Sequence, residues 1–346
     1  MKEYLDYRSR VDQISASSLK IETTYMRYLL TWADERPFKQ VITFRPAFPE
    51  YMLTARLDGE KKRLSGDYIK KVLATARNFF SWLSDNKRGY SSITHSWIRT
   101  LKTKRMAQKP KTKNAVSLEE IMRIAKAPAE TIMERRIRAA AVFLYLSGVR
   151  ISAFVSLTLD LVDIDNRQII QDPTRGVRTK NQKFGITYLW DIPELLQVVK
   201  AWDDEVRAIL PAQGFWFAPI SPATGEIDEN ILSIGANRDV LAGKNLRAWL
   251  EKVGLPVRSP HKFRHGHIQY GLTNSKTMAD FKAVSLNAMH SSIKITDEFY
   301  SVLNDQEVKR RLNSLGNNKQ KKSTDKEDFE QFKEFLAWKN SQANVT

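Results

Sequence analysis

The chain has 346 residues, 42% of them apolar, with no cysteine and 56 Lys+Arg against 39 Asp+Glu, a formal charge of +17. That length accommodates two domains with separate cores, the apolar share excludes a disordered chain, and the charge points to a polyanionic partner, nucleic acid ahead of a membrane surface. Without cysteine there are no disulfides, thiolate zinc sites or cysteine nucleophiles, and a reducing cytosol suits the chain.

In chain order, MKEYLDYRSR at the N-terminus lacks the apolar core of a signal peptide, and no later apolar run reaches the ~20 residues of a membrane span. The expectation is a cytoplasmic or nucleoid-associated protein without a membrane partner. From Ser17, the spacing of Ile21, Tyr25, Tyr28, Leu29 and Trp32 predicts a helix. SGDYIKKVLATARNFFSWLSDN predicts a second, with Ile69, Val72, Leu73, Ala76, Phe80 and Leu83 on one face and a stop between Asn86 and Gly89. Residues 1–101 thus read as a small all-helical domain with an aromatic core and basic outer faces. The run KTKRMAQKPKTK follows, carrying Lys102, Lys104, Arg105, Lys109, Lys111 and Lys113 with no acid and no periodicity. It predicts an extended linker over 102–116. Solvation alone would explain the charge; between two domains of a basic chain it also suits lying along a phosphate backbone.

A second domain is expected over 117–312, opening at Ser117-Leu-Glu-Glu120, where Ser117 and Glu120 can form a capping box. ERRIRAAAVFLYLSG predicts a helix stopped at Gly148. RQIIQD and GITYLWDI alternate on either side of the polar RGVRTKNQKF, which predicts a β-hairpin. Helices dominate again from about Asn245, and 313–346 read as a charged tail ending in an amphipathic helix with Phe329, Phe332, Phe335, Leu336 and Trp338. The expected fold class is mainly α with a small antiparallel β-sheet, and the chain has no internal repeats.

HKFRHGH, His261 to His267, concentrates three of the five histidines. His261 and His265 have the spacing of a zinc-binding helix, but Lys262 stands where such a helix needs its glutamate, and Lys262 and Arg264 would repel a dication. The same cations suit an anion: a guanidinium grips two phosphate oxygens at once, and Pro260 would set a helix start whose N–H groups favour a phosphate. A basic surface cluster would also explain this stretch taken alone.

Three other stretches bear on that choice. LSGVRISAFVSLTLDLVD puts Arg150 just beyond Gly148, RTKNQKF puts Lys180 in the hairpin turn, and MHSSIKITDEFY supplies His290 and Tyr300. Arg150, Lys180, His261, Arg264, His290 and Tyr300, in that order, resemble the tyrosine recombinase (phage-integrase-type) family. The resemblance covers Ser117 to Tyr300 at motif level, and the helical domain with its basic linker resembles the family's N-terminal DNA clamp. One departure stands out. The family commonly has an acid three residues after the first arginine, and here that position is Ala153.

The resemblance implies a metal-independent enzyme that needs no cofactor and breaks and rejoins duplex DNA. A tyrosine hydroxyl, with a free pKa near ~10, attacks a phosphate only when the charge developing on both is offset. Arg150 and Arg264 would hold the non-bridging oxygens, His261 would accept or relay the tyrosine proton, His290 would hydrogen-bond the phosphate, and Lys180 would protonate the departing 5′ oxygen. The implied product is a 3′-phosphotyrosyl link. The implied partners are double-stranded DNA with an inverted-repeat site, a homotetramer formed on it, and accessory DNA-bending proteins. Lys183 competes with Lys180, and Tyr300 beside Phe299 would by itself read as a core aromatic pair. His265 and His267 read as packing residues. A type IB topoisomerase and a non-catalytic architectural DNA-binding protein are the two rival readings; a tail helix that docks on a neighbouring subunit favours the recombinase, whereas one that folds back on its own domain favours neither.

Overall fold

The computed structural model describes residues 1–60, 62–103, 115–231, 233 and 235–289. The chain divides into two compact units, residues 1–111 and 112–346.

Unit 1 is helical: α1 (Lys2–Arg10), α2 (Ala16–Ala33), α3 (Phe48–Tyr51), α4 (Gly66–Asn86) and α5 (His95–Thr100). Each of the three main starts is set by a hydroxyl cap. Ser15 accepts from Ser18 N, Ser65 from Tyr68 N and Thr94 from Trp97 N, satisfying N–H groups that the helix itself cannot. The expected face of α4 is buried throughout, from Ile69 to Leu83. On α2 the expected face holds at Tyr28, Leu29 and Trp32, but Ile21 is 52% exposed while Glu22 beside it is buried, so at that turn the inward face lies one residue round the helix. The core is aromatic: Tyr4 meets Phe79 edge-on at 5.3 Å, Trp32 meets Phe48 at 4.9 Å, and Phe80 meets Trp97 at 5.1 Å. Each buried ring contributes about 1.5–3 kcal/mol. Arg77 ties α4 to the end of α5 by donating to Leu101 O at 2.6 Å, just before exposed Lys102.

Unit 2 begins with α6 (Leu118–Lys126) and α7 (Ile132–Ser147). Ser117 caps α6 through Glu120 N at 3.1 Å, but the reciprocal half of the expected capping box is missing, because the Glu120 carboxylate turns to Arg258 at 2.8 Å. The complete capping box is at Thr131 and Glu134, heading α7. From Ala139 to Ser147 α7 is buried on every side, as befits a helix apolar all round. Among the described residues, α6 and three later helices of the unit pack against it.

After α7 come α8 (Ile151–Phe154) and three antiparallel strands in the order β1 (Val162–Asp163), β2 (Gln168–Gln171), β3 (Gly185–Tyr188). Ile169 stands opposite Thr187 and Gln171 opposite Gly185, giving the expected hairpin. α9 (Pro193–Arg207) has no counterpart in the sequence reading; it starts at a proline in the first turn directly behind an alternating run, so the strand signal masks it. The unit closes with α10 (Arg238–Lys252), α11 (Pro260–Asn274) and α12 (Met278–Asn287). The return to helix thus comes at Pro193, and α10 too begins earlier than the expected Asn245. Val116 is 1% exposed within the unit's core, so the unit starts before the capping residue Ser117. Among the described residues, no helix is long and apolar enough to cross a membrane.

Candidate active site

α7 ends at Gly148 in the left-handed region, at φ 64°. A Cβ there would lie 2.5 Å from His267 Cδ2, so glycine is required for both conformation and space. Two residues on, Arg150 is the N-terminal cap of α8, half-buried at the turn between the helices. Burial alone lowers its pKa. Among the described residues, no carboxylate acts on its guanidinium. Ala153, at the family's usual acidic position, is 1% exposed and carries no group that could.

α11 presents the HKFRHGH stretch. Ser259 precedes Pro260, which occupies the first helical turn as expected. Arg264 is 4% exposed and donates from Nη1 to Gly148 O and from Nη2 to Ala288 O. Those carbonyls use two of its five N–H donors and fix the guanidinium plane. Burial first, then the Arg150 charge, pushes its pKa down to about 9, so it stays a cation at neutral pH but an incompletely compensated one. His261 keeps solvent contact, yet the protein around it, then Arg264, Arg150 and Lys262, hold its pKa below the ordinary 6.5. It is therefore neutral at pH 7 and able to accept a proton. His265 meets it edge-on at 4.3 Å.

Gly266 marks a close crossing: a Cβ would stand 2.3 Å from Val116 O, and Val116 N donates to Lys262 O at 3.2 Å. His267 is fully buried, its ring tilted against that of Trp190 at 4.9 Å, with Nδ1 3.0 Å from Tyr145 O.

Lys180 lies in the β2–β3 connection, exposed, beside Asn181 in the left-handed region at φ 58°. A cleft of about 90 Å³ brings Lys180 and Lys183 together with Arg150, Ala153 and Met289. Arg150 thus faces His261 and Arg264 electrostatically and shares a cleft with both hairpin lysines. Among the described residues no group of three His, Asp or Glu side chains could hold a metal ion. His290 and Tyr300 lie outside the described residues, as do Lys104, Arg105, Lys109, Lys111, Lys113 and the tail.

The chain matches tyrosine recombinases in sequence. It is 27% identical over 139 residues to tyrosine recombinase XerC of Xylella fastidiosa, covering 40% of this chain and 44% of the relative. It is 25% identical over 207 residues to tyrosine recombinase XerD of Rhizobium meliloti, covering 57% and 58%. The chain is related to the tyrosine recombinases. The matches span about half the length of these recombinases, and no family model matches the chain. The recombinase fold extends over most of the chain. A Tn1549 transposon integrase in complex with transposon right end DNA aligns with a TM-score of 0.55 at 16% identity, over 90% of this chain and 97% of that one. A lambda integrase dimer bound to a COC′ core site aligns with 0.54 at 10% identity, over 86% and 94%.

Sequence reasoning missed Asn287, whose amide ties α12 to β3 and to His267. It lies outside every motif, and a single asparagine ending a helix carries no signal of what it meets.

Proposed function

We propose that the chain is a site-specific recombinase or integrase that cleaves duplex DNA by attack of Tyr300, leaving a 3′-phosphotyrosyl link and a free 5′ hydroxyl. The observation that carries this is a gathering of cations: half-buried Arg150 shares a cleft with Lys180 and Lys183 and acts electrostatically on buried Arg264, with His261 held neutral beside them. A phosphodiester entering there would supply the missing negative charge, and the pentacoordinate state would gain more than the ground state as charge builds on its oxygens. Arg150 and Arg264 take the two non-bridging oxygens, His261 accepts the Tyr300 proton, His290 hydrogen-bonds the phosphate, and Lys180 protonates the leaving 5′ oxygen. The tyrosyl ester conserves the energy of the broken diester, so a 5′ hydroxyl can attack it and reseal the strand, its proton passing back to Lys180 while His261 returns its proton to the departing Tyr300 oxygen.

In this reading residues 1–101 clamp DNA, the linker over 102–116 follows its backbone with Lys102, Lys104, Arg105, Lys109, Lys111 and Lys113, and 117–312 hold the chemistry. The 313–346 tail docks on a neighbouring protomer in a homotetramer assembled on an inverted-repeat site, with accessory DNA-bending proteins as further partners. The protein works in the cytoplasm, on the nucleoid. The names of the curated relatives favour a recombinase over a type IB topoisomerase.

The test is capture on a nicked suicide duplex. The parent protein should give an SDS-resistant protein–DNA adduct, and Tyr300→Phe should bind the same duplex and give none. An adduct from Tyr300→Phe would overturn the assignment.

A further inference from the structure

Asn287, the last residue of α12, makes more hydrogen bonds than a helix end requires. Its Oδ1 accepts from Tyr188 N at 2.7 Å, and its Nδ2 donates to Tyr188 O at 2.9 Å and to His267 Nε2 at 3.2 Å. Its own carbonyl accepts from Thr187 Oγ1 at 3.2 Å. The amide therefore pairs with the edge of β3 much as another strand would, using both of its polar atoms on one residue.

The histidine bond has a fixed direction. Tyr145 O can only accept, so His267 Nδ1 carries the proton, and Nε2 offers a lone pair to the Asn287 amide. Only a primary amide combines one acceptor with two donors in this space. A carboxylate of the same shape would keep the bond from Tyr188 N and lose both donations.

What this pinned helix end carries is the anchor of Arg264. Ala288 is fully buried, and its carbonyl accepts from Arg264 Nη2. Met289 turns into the left-handed region at φ 50° and lines the cleft shared by Arg150 and Lys180, while its thioether fills the space where a side chain on Gly185 would stand. Three successive residues thus join β3, α11 and the cleft.

We propose that Asn287 is a positioning residue for the phosphate-binding arginine: by fixing the end of α12 to β3 and to His267, it holds the Ala288 carbonyl that sets the plane of the Arg264 guanidinium. This deepens the recombinase reading and rests on it for the rate effect, but not for the geometry. An arginine free to turn misplaces its remaining donors, and a misplacement of about 1 Å can cost about 100-fold in rate.

The test uses Asn287→Asp and Asn287→Ala in the full chain. Capture on the suicide duplex should slow by about 100-fold in both, with the affinity for the same duplex unchanged. The second readout needs neither DNA nor activity. In 15N-arginine spectra, the Arg264 Nη signals held by Gly148 and Ala288 should exchange slowly in the parent and rapidly in Asn287→Asp. Slow exchange retained in Asn287→Asp overturns the proposal, and so does a loss of cleavage that only parallels lost DNA binding and melting temperature. A parent protein that forms no adduct overturns the functional reading alone, since the exchange measurement still judges the clamp.

Discussion

Glu22 in unit 1 and Arg136 in unit 2 are both buried charges, 7% and 5% exposed, and they are treated in opposite ways. Glu22 accepts from Tyr4 Oη at 2.7 Å and from Arg8 Nε at 3.2 Å, so its charge is answered on both oxygens. Arg136 donates to Ala218 O and reaches Met133 Sδ at 2.9 Å, its guanidinium lies 4.2 Å over the Phe217 ring, and its Nε has no partner. Burial, with the nearby Arg238 charge, pushes its pKa down to about 9. Arg264 repeats the pattern with two carbonyls. Unit 1 closes its electrostatics internally, whereas unit 2 leaves buried cations answered only by dipoles and a ring. A buried charge without its counterion costs stability, and a chain keeps such a cost where the missing counterion belongs to something it binds.

The sharpest way to break that comparison is to remove the unit 1 acid. Glu22→Ala leaves the Tyr4 hydroxyl buried without an acceptor and Arg8 with Asp12 alone, and should cost about 2–3 kcal/mol. Amide exchange of α2 and α4 would report it, with α7 unaffected. A loss below about 0.5 kcal/mol would show that water replaces the carboxylate at no cost, and the contrast between the units would fall.

The matching substitution in unit 2 should do much less. Arg136→Met removes a cation that no carboxylate compensates, and the gain offsets the lost bond to Ala218 O, leaving stability within about 1 kcal/mol of the parent. The exchange rates of α7 measure this. A loss as large as that of Glu22→Ala would mean that the dipoles around Arg136 solvate it fully.

Much of this was legible in the sequence, and the limits have physical causes. Helix starts and stops carried by one residue could be read directly: Ser65 heads α4, Gly148 ends α7 and Pro260 opens α11. Contacts decided by a partner far along the chain could not. Glu120 has the spacing of a capping box, yet Arg258, 138 residues away, takes its carboxylate. Ile21 has helical spacing, yet at that turn the helix turns Glu22 inward, toward Tyr4 of α1. The site follows the same rule. Arg150, Lys180, His261 and Arg264 stood out by residue type and order, whereas Asn287 acts through a backbone pair on β3 that no local pattern encodes.

The smallest expected effect sharpens the electrostatic account of the site. His261 is held below 6.5 by its surroundings, so the acid limb of the rate of covalent capture, where the imidazole gains its proton, should lie below 6.5. Lys262 is the last of the charges acting on His261, so Lys262→Ala should move that acid limb upward, and by less than removal of either arginine would. A pH–rate profile of single-turnover cleavage reads both. An acid limb above 6.5 in the parent would mean that His261 is not the group that takes the proton.

The crossing of Val116 over Gly266 bears on where the chain can be cut. Ser117 is the natural first residue of a fragment carrying the second unit, since it caps α6. A fragment begun there loses the Val116 side chain from the core and the bond from Val116 N to Lys262 O, both on the helix that carries Arg264. It would also leave open the narrow slot above Gly266, where no side chain can replace a missing backbone. A dissected second unit therefore has to include residue 115, and a fusion partner belongs upstream of it.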